Sequence, residues 1–386
     1  MNRELLFRLI RQEICGTELS VKIKKGIDSD TLKALYIISK KFDIAPIVVS
    51  AILNSGVALE PEAELLFNKE LMVSTFRYEN MEYELEAISK VLEEEKIPHI
   101  PLKGAVIREL YPEKWMRTSC DVDVLVKEED IDRAVNALCN SLSYKTDGKK
   151  EFHDVSLYSE SGIHLELHFN IKENREELDC LLSRAWEFSD PVRENGYKYK
   201  LTNEFLIFHN IAHMVHHFLH GGCGVRSFID LYLMELKLEY NKDVLSELCK
   251  ESSIETFRIA VEKLSRVWLL GEVYDELSCE LEEYILNGGI YGDSEVDLIV
   301  NQEKSGGKFK YFINRIFQPY DKLNKRYPRL RGKRYLTPFY QVKRWFDIVA
   351  EGKAKKAQNE LSDIVNSDKE KKNQIIDIIN KVGLNL

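Results

Sequence analysis

Pro101-Leu102-Lys103-Gly104-Ala105-Val106, followed by Arg117-Thr118-Ser119-Cys120-Asp121-Val122-Asp123-Val124-Leu125, is the stretch from which the fold can be read. The second segment alternates acidic and apolar residues, and side chains two apart on a strand share a face. Asp121 and Asp123 therefore project together, with Val122 and Val124 on the opposite, buried face. Two neighbouring carboxylates repel unless a cation sits between them. The same repulsion leads us to expect that apo variants lacking either aspartate melt higher. Hard oxygen ligands on a rigid strand suit Mg²⁺, which takes one or two carboxylates plus phosphate oxygens.

The pattern repeats at His164-Leu165-Glu166-Leu167-His168, where Glu166 stands between two leucines. If this strand lies beside the first, Glu166 joins the aspartates, and three carboxylates on neighbouring strands fit a two-metal phosphoryl-transfer site. Upstream, Ile97 to Leu102 is short, apolar and punctuated by Pro, as edge strands are. Lys103-Gly104 then opens a helical run, Ala105 to Leu110, where a glycine lets backbone approach a phosphate. Glu128 to Leu142 reads as an amphipathic helix with Ile131, Val135 and Leu138 inward. Phe152 to Tyr158 and Ile163 to Phe169 read as a hairpin turning at Ser159-Glu160-Ser161-Gly162.

Around this core the chain reads as helical. Leu5, Leu6, Leu9 and Ile10 recur at helical spacing, and Glu79 to Glu95 carries the stripe Met81, Leu85, Ile88 and Leu92. A short strand, Tyr197 to Leu201, precedes helices expected over 203–220, 226–240, 242–250, 255–269 and 279–287. The expected organisation is α+β: a helical lobe (1–96), an α/β core with a small mixed sheet (97–201), a helical lobe (202–303), and a basic aromatic segment with a helical tail (304–386).

The chain has 386 residues, 44% hydrophobic and 31% charged, which excludes disordered and collagen-like classes. No apolar run approaches the ~20 residues of a membrane helix, so no membrane partner is expected. Seven scattered Cys without a CxxC pair argue against a disulfide framework or thiolate zinc site, and the chain reads as cytoplasmic. The net charge of -9 argues against a nucleic-acid coat, and no stable DNA binding is expected. Residues 304–344 nonetheless carry +12, leaving -21 elsewhere. We expect this segment to pack on the acidic body through its aromatics, with cations at the cleft rim.

Together, Leu102-Lys103-Gly104, Tyr111-Pro112, Arg117-x-Ser119-x-Asp121-x-Asp123 and the lone Glu166 resemble the nucleotidyltransferase (DNA polymerase beta-like) superfamily. The likeness is to its bacterial "nucleotidyltransferase family protein" branch, with motifs shared by abortive-infection type nucleotidyltransferase toxins. The resemblance implies an ATP- or other NTP-binding, Mg²⁺-dependent enzyme that moves an NMP to an acceptor hydroxyl or phosphate and releases pyrophosphate. Asp121, Asp123 and Glu166 would be the catalytic and metal residues for two Mg²⁺ ions. Lys103, Gly104, Arg117 and Ser119 would seat the nucleotide. The superfamily usually has Gly-Ser or Gly-Gly where this chain has Gly104-Ala105, so that hydroxyl is missing. A small-molecule acceptor is favoured over RNA. The alternatives are a non-catalytic nucleotide-binding or scaffolding module and a toxin-like tRNA/RNA nucleotidyltransferase.

Five of the nine His fall within twelve residues, and His209, His213 and His217 share one helix face. His213 and His217 are pocket candidates, as are Arg226 and Asp230 one turn apart on the next helix. Packed structural histidines and a helix-pinning ion pair are the competing readings.

Overall fold

The computed structural model describes residues 3–24, 26–150, 153–288, 294–304, 306, 310, 311, 313, 316–330, 332–350 and 369–385. Two compact units emerge: Met1–Phe218 with Cys223–Tyr291, and Leu219–Gly222 with Gly292–Leu386.

The first unit opens with five helices: α1 (Arg3–Cys15), α2 (Val21–Lys24), α3 (Ser29–Lys41), α4 (Ala45–Ser55) and α5 (Pro61–Glu94). The periodicity from Glu79 marks only the last part of α5, a 34-residue helix. Its first half lies within the stretch read as helical but shows no stripe, because it leaves Leu65, Met72 and Phe76 exposed.

Next come β1 (His99–Pro101), α6 (Gly104–Ile107), β2 (Asp121–Val126), α7 (Ile131–Leu142), β3 (Lys145–Lys150), β4 (Asp154–Tyr158) and β5 (His164–His168). The five strands form one sheet in the order β1-β2-β5-β4-β3. β1 pairs antiparallel with β2 at the end of the sheet, and on its other side the His99 N–H donates to the Tyr197 carbonyl at 2.8 Å in a single bridge. β2 and β5 pair parallel, with Asp123 opposite Glu166. β4 pairs antiparallel with both β5 and β3, so the sheet is mixed. β3 was not expected: Lys145-Thr-Asp-Gly-Lys-Lys150 has no apolar alternation, and its strand character comes from pairing with β4. Phe152, the expected start of β4, lies outside the described residues.

Alternation sorts the two sheet faces. Val122, Val124, Val126, Leu157, Leu165 and Leu167 join Ile88 and Leu92 of α5 and Ile131 and Leu138 of α7 in one core. Burying each such side chain contributes about 1.5–3 kcal/mol, which fixes strand register, since a one-residue slip would expose the whole set. The opposite face carries Asp121, Asp123, Glu166 and His168. Beyond the sheet run α8 (Glu176–Leu182), the ribbon β6 (Ser189–Pro191) and β7 (Tyr199–Leu201), then α9 (Asn203–Leu219), α10 (Val225–Lys237), α11 (Lys242–Glu251), α12 (Glu255–Leu270) and α13 (Glu276–Gly288).

In the second unit, Ser294–Lys304, Tyr320–Arg326, Thr337–Ala350 and Lys369–Lys381 are helical. Leu323 and Leu330 are buried, and the Tyr327 hydroxyl donates to Asp347. The expectation that the aromatics of 304–344 are buried is corrected here: Phe317, Tyr335 and Phe339 are exposed. Phe309 and Phe312 lie outside the described residues. Amphipathic spacing alone cannot tell which aromatics a short helix covers.

Candidate active site

Parallel pairing of β2 with β5 sets Asp123 beside Glu166. Asp123 is 2% exposed, so its charge must be met inside the protein. Lys103 Nζ donates to its Oδ1 at 2.9 Å, and His168 Nε2 lies 2.9 Å from the same oxygen. His168 Nε2 is also 3.4 Å from Glu166 Oε2. Burial alone would raise the Asp123 carboxyl, but Lys103 and His168 outweigh it and hold the group well below the usual carboxylate range. The hydrogen bond from His168 likewise lowers Glu166. In return, and against burial, Asp123 and Glu166 raise His168, and Asp123 raises Lys103.

Asp121 stands apart from this cluster. Ser119 Oγ lies 3.1 Å from its Oδ1 and donates to its backbone carbonyl at 2.9 Å. Burial, then the charges of Asp123 and Glu166, raise its carboxyl. The ligand atoms within 4.8 Å of one another belong to Asp123, Glu166 and His168. The residues thus offer a divalent ion two carboxylates and an imidazole, with a third carboxylate nearby.

Lys103 adopts φ +43°, a backbone region that L side chains rarely occupy. This turn carries the chain from β1 into α6 and aims the ammonium at Asp123. Gly104 follows without a Cβ, and one built there would come within 2.7 Å of Arg117 Nη1 and 3.0 Å of Ser119 Oγ. Gly104 therefore lets Arg117 and Ser119 pack directly against the backbone at the start of α6.

Arg117 is buried and engaged. Its Nε and Nη2 donate to Asp230 Oδ1 and Oδ2 at 3.0 and 2.9 Å, and the Tyr111 hydroxyl donates to Oδ1 at 2.7 Å. Asp230 of α10 thus anchors Arg117, and Tyr111 is a hydrogen-bond donor as well as a packing residue. Arg226 turns elsewhere, to Asp43 and the Thr118 carbonyl. The one-turn spacing of Arg226 and Asp230 does not pair them with each other; each grips a different part of the loop before β2.

The histidines of α9 form a second polar group. His213 Nδ1 lies 2.9 Å from Glu173 Oε1, and His217 Nε2 lies 2.9 Å from His213 Nε2. His216 Nδ1 is 3.0 Å from the other Glu173 oxygen. Burial first, then the positive field of Lys103, lowers His213 and pushes His209 down to about 3. The Lys103 effect places the imidazoles within electrostatic reach of the Asp123 site. Sequence reasoning found this helix but not Glu173, which comes from a loop with no pattern of its own. Strand period puts His168 on the face of Glu166 but does not by itself make it a partner.

His209 carries a pH prediction. Its folded pKa lies below the unfolded value, so the unfolded chain takes up the proton first and stability falls as pH drops below about 6.5. The expected loss is about 1.4 kcal/mol per pH unit from this group alone. His209→Gln should flatten the dependence of urea midpoint on pH between about 6.5 and 4; an unchanged slope would place the proton uptake elsewhere.

A family model described as "Uncharacterised nucleotidyltransferase" matches residues 28–269, more than half of the chain. Among solved structures, the chain is similar to the antibiotic-resistance factor ANT(2'')-Ia, determined in solution. The identity is 13% over 48% of this chain and 97% of that chain, with a TM-score of 0.35. No curated protein matches.

Proposed function

The chain belongs to the uncharacterised nucleotidyltransferase family and is an enzyme of nucleotidyl transfer; from that premise we propose that it moves an NMP from an NTP to a small-molecule hydroxyl or phosphate and releases pyrophosphate. The observation that carries this reading is the parallel register setting Asp123 against Glu166, with Lys103 on the same carboxylate. Asp123 and Glu166 would hold the divalent metal, with Asp121 as a further ligand once Ser119 yields it. Such an ion neutralises charge on the transferring phosphate and its attacking and leaving oxygens. Gly104, Ser119 and Arg117 would seat the triphosphate, where Arg117 Nη1 faces Gly104 and Asp230 fixes the guanidinium plane. Lys103 would exchange Asp123 for a phosphate oxygen. Glu166 would take the acceptor proton.

The test is thermal stabilisation of the full chain by Mg²⁺ with each NTP, followed by pyrophosphate release over an acceptor panel. Stabilisation and release by at least one NTP are expected; neither with any NTP would overturn the reading. Glu166→Gln should abolish transfer while NTP affinity falls less than in Asp123→Asn. Equal loss of affinity in both variants would make Glu166 a binding residue only.

The exposed aromatics among the cations of 304–344 favour RNA as a second acceptor class, since bases stack on such side chains. Polynucleotide binding through six phosphate contacts falls by about 10³-fold between 50 and 200 mM salt. On the principal reading mixed RNA binds weakly at physiological salt. Submicromolar binding, lost on neutralising Lys325, Arg326, Arg329 and Arg331, would select RNA.

A further inference from the structure

The three ligand atoms that lie together are not all carboxylate oxygens. Asp123 and Glu166 each supply an oxygen, but the third atom in range is an imidazole nitrogen, while Asp121 is held aside by Ser119. We infer that Asp123, Glu166 and His168 form a mixed carboxylate–imidazole site that binds a divalent transition ion (Mn²⁺, Co²⁺ or Zn²⁺) in preference to Mg²⁺. The inference deepens the proposed function, on which it rests for the purpose of the metal.

The spacing fits one ion. Ligand atoms at about 2.1 Å from a metal stand about 3.0 Å apart at right angles and about 3.4 Å apart in a tetrahedron. His168 Nε2 is 2.9 Å from Asp123 Oδ1 and 3.4 Å from Glu166 Oε2. Neighbouring ladder positions on two strands hold the two carboxylates, and His168, two residues beyond Glu166, reaches back to both.

The tautomer allows ligation. A metal needs the Nε2 lone pair, so the ring proton must sit on Nδ1. His168 Nδ1 is buried, and among the described residues no donor points at it. A donor there would lock the lone pair onto Nδ1 and forbid ligation. The His153 ring is stacked parallel to that of His168 at 5.4 Å and holds its plane.

The donor set decides the ion. Mg²⁺ prefers carboxylate, phosphate and water oxygens and dehydrates reluctantly. Imidazole adds affinity for first-row transition ions, which rises from Mn²⁺ to Co²⁺. Lys103 is the resident cation on Asp123 and opposes any incoming ion equally. It therefore lowers affinity without setting selectivity.

Calorimetric titration of the full chain with Co²⁺ and with Mg²⁺, without nucleotide, tests the inference. The wild type should bind Co²⁺ about tenfold or more tighter than Mg²⁺. His168→Gln should lose Co²⁺ affinity by at least the about 10- to 100-fold that loss of even an outer-shell partner costs, with Mg²⁺ changed far less. An unchanged Co²⁺/Mg²⁺ ratio in His168→Gln overturns the inference. Pulsed electron paramagnetic resonance of the Mn²⁺-loaded wild type needs no His168 variant. Nitrogen modulation is expected, lost in Asp123→Asn and retained in His213→Asn. No nitrogen modulation, or a signal surviving in Asp123→Asn, overturns it. These readouts contain no NTP, so they fail independently of pyrophosphate release. A chain that turns over NTP with Mg²⁺ but shows no nitrogen ligand keeps the function and loses this metal centre.

Discussion

Asp123→Asn is expected to lower the unfolding midpoint of the apo chain and to abolish transfer, whereas Asp121→Asn raises the midpoint. The two aspartates share a strand face, yet their surroundings have opposite sign. Asp123 is closed in with Lys103 and His168, and its carboxyl is held low. A depressed folded pKa contributes stability that is fully present above the unfolded value of about 3.9 and is lost as pH falls through the folded one. Neutralising Asp123 leaves a buried ammonium and imidazolium short of their counter-charge, and breaking a buried pair costs about 3–5 kcal/mol. Asp121 is raised by burial and by its neighbours' charge, so the fold is relieved when it is neutral. This corrects the expectation that both apo variants melt higher, because repulsion dominates only at Asp121. The loss of transfer in Asp123→Asn should be about 10³-fold or more, since metal charge stabilisation supplies several kcal/mol of the barrier reduction. Differential scanning calorimetry of both variants in chelator decides the signs; midpoints that move together would mean Lys103 does not compensate Asp123 in solution.

Arg117→Ala and Asp230→Asn should each destabilise the chain by about 3–5 kcal/mol, the cost of leaving one partner of a buried ion pair alone. The pair is bidentate and 7% and 3% exposed on its two side chains, so solvent cannot replace the lost partner. Tyr111→Phe removes one hydrogen bond to the same carboxylate and should cost more than the about 1 kcal/mol of a neutral bond. Arg117→Met with Asp230→Leu should recover most of the loss, because an apolar pair removes both buried charges. Urea midpoints of the four variants measure this, and losses below about 1 kcal/mol would show a solvated guanidinium. Arg117→Ala also removes the guanidinium packed against Gly104, so NTP affinity should fall with stability.

The core of the sheet was legible because its signals are local. Asp121-Val-Asp-Val-Leu-Val126 and His164-Leu-Glu-Leu-His168 each announce a two-sided strand within six residues, and Pro98 and Pro101 mark the edge. β3 was not legible, since Lys145-Thr-Asp-Gly-Lys-Lys150 takes its conformation from a neighbour rather than from its own side chains. The site divided in the same way. Carboxylate positions follow from strand period, but the partners that set their charge come from other elements. Lys103 lies 20 residues from Asp123, His168 lies 45, and Asp230 lies 113 from Arg117. Such pairings are decided by packing, which one-dimensional spacing does not encode. Asp121 and His168 illustrate the limit, because both share a face with the cluster and only the three-dimensional contacts show which completes it.

The sheet order also governs how the chain is assembled. β3, β4 and β5 form a meander of adjacent hairpins, which can zip locally, whereas β5 reaches β2 only across the intervening α7 and two strands. That seam is the longest-range contact of the sheet, and non-local pairing is slow because loop closure precedes any gain from burial. Closing the seam is also what forces Asp123 and Glu166 together. A cation present at that moment screens the approach, so refolding should be faster with divalent ions than in chelator, while a nascent chain cannot bring Asp123, Glu166 and His168 together until β5 has emerged and docked.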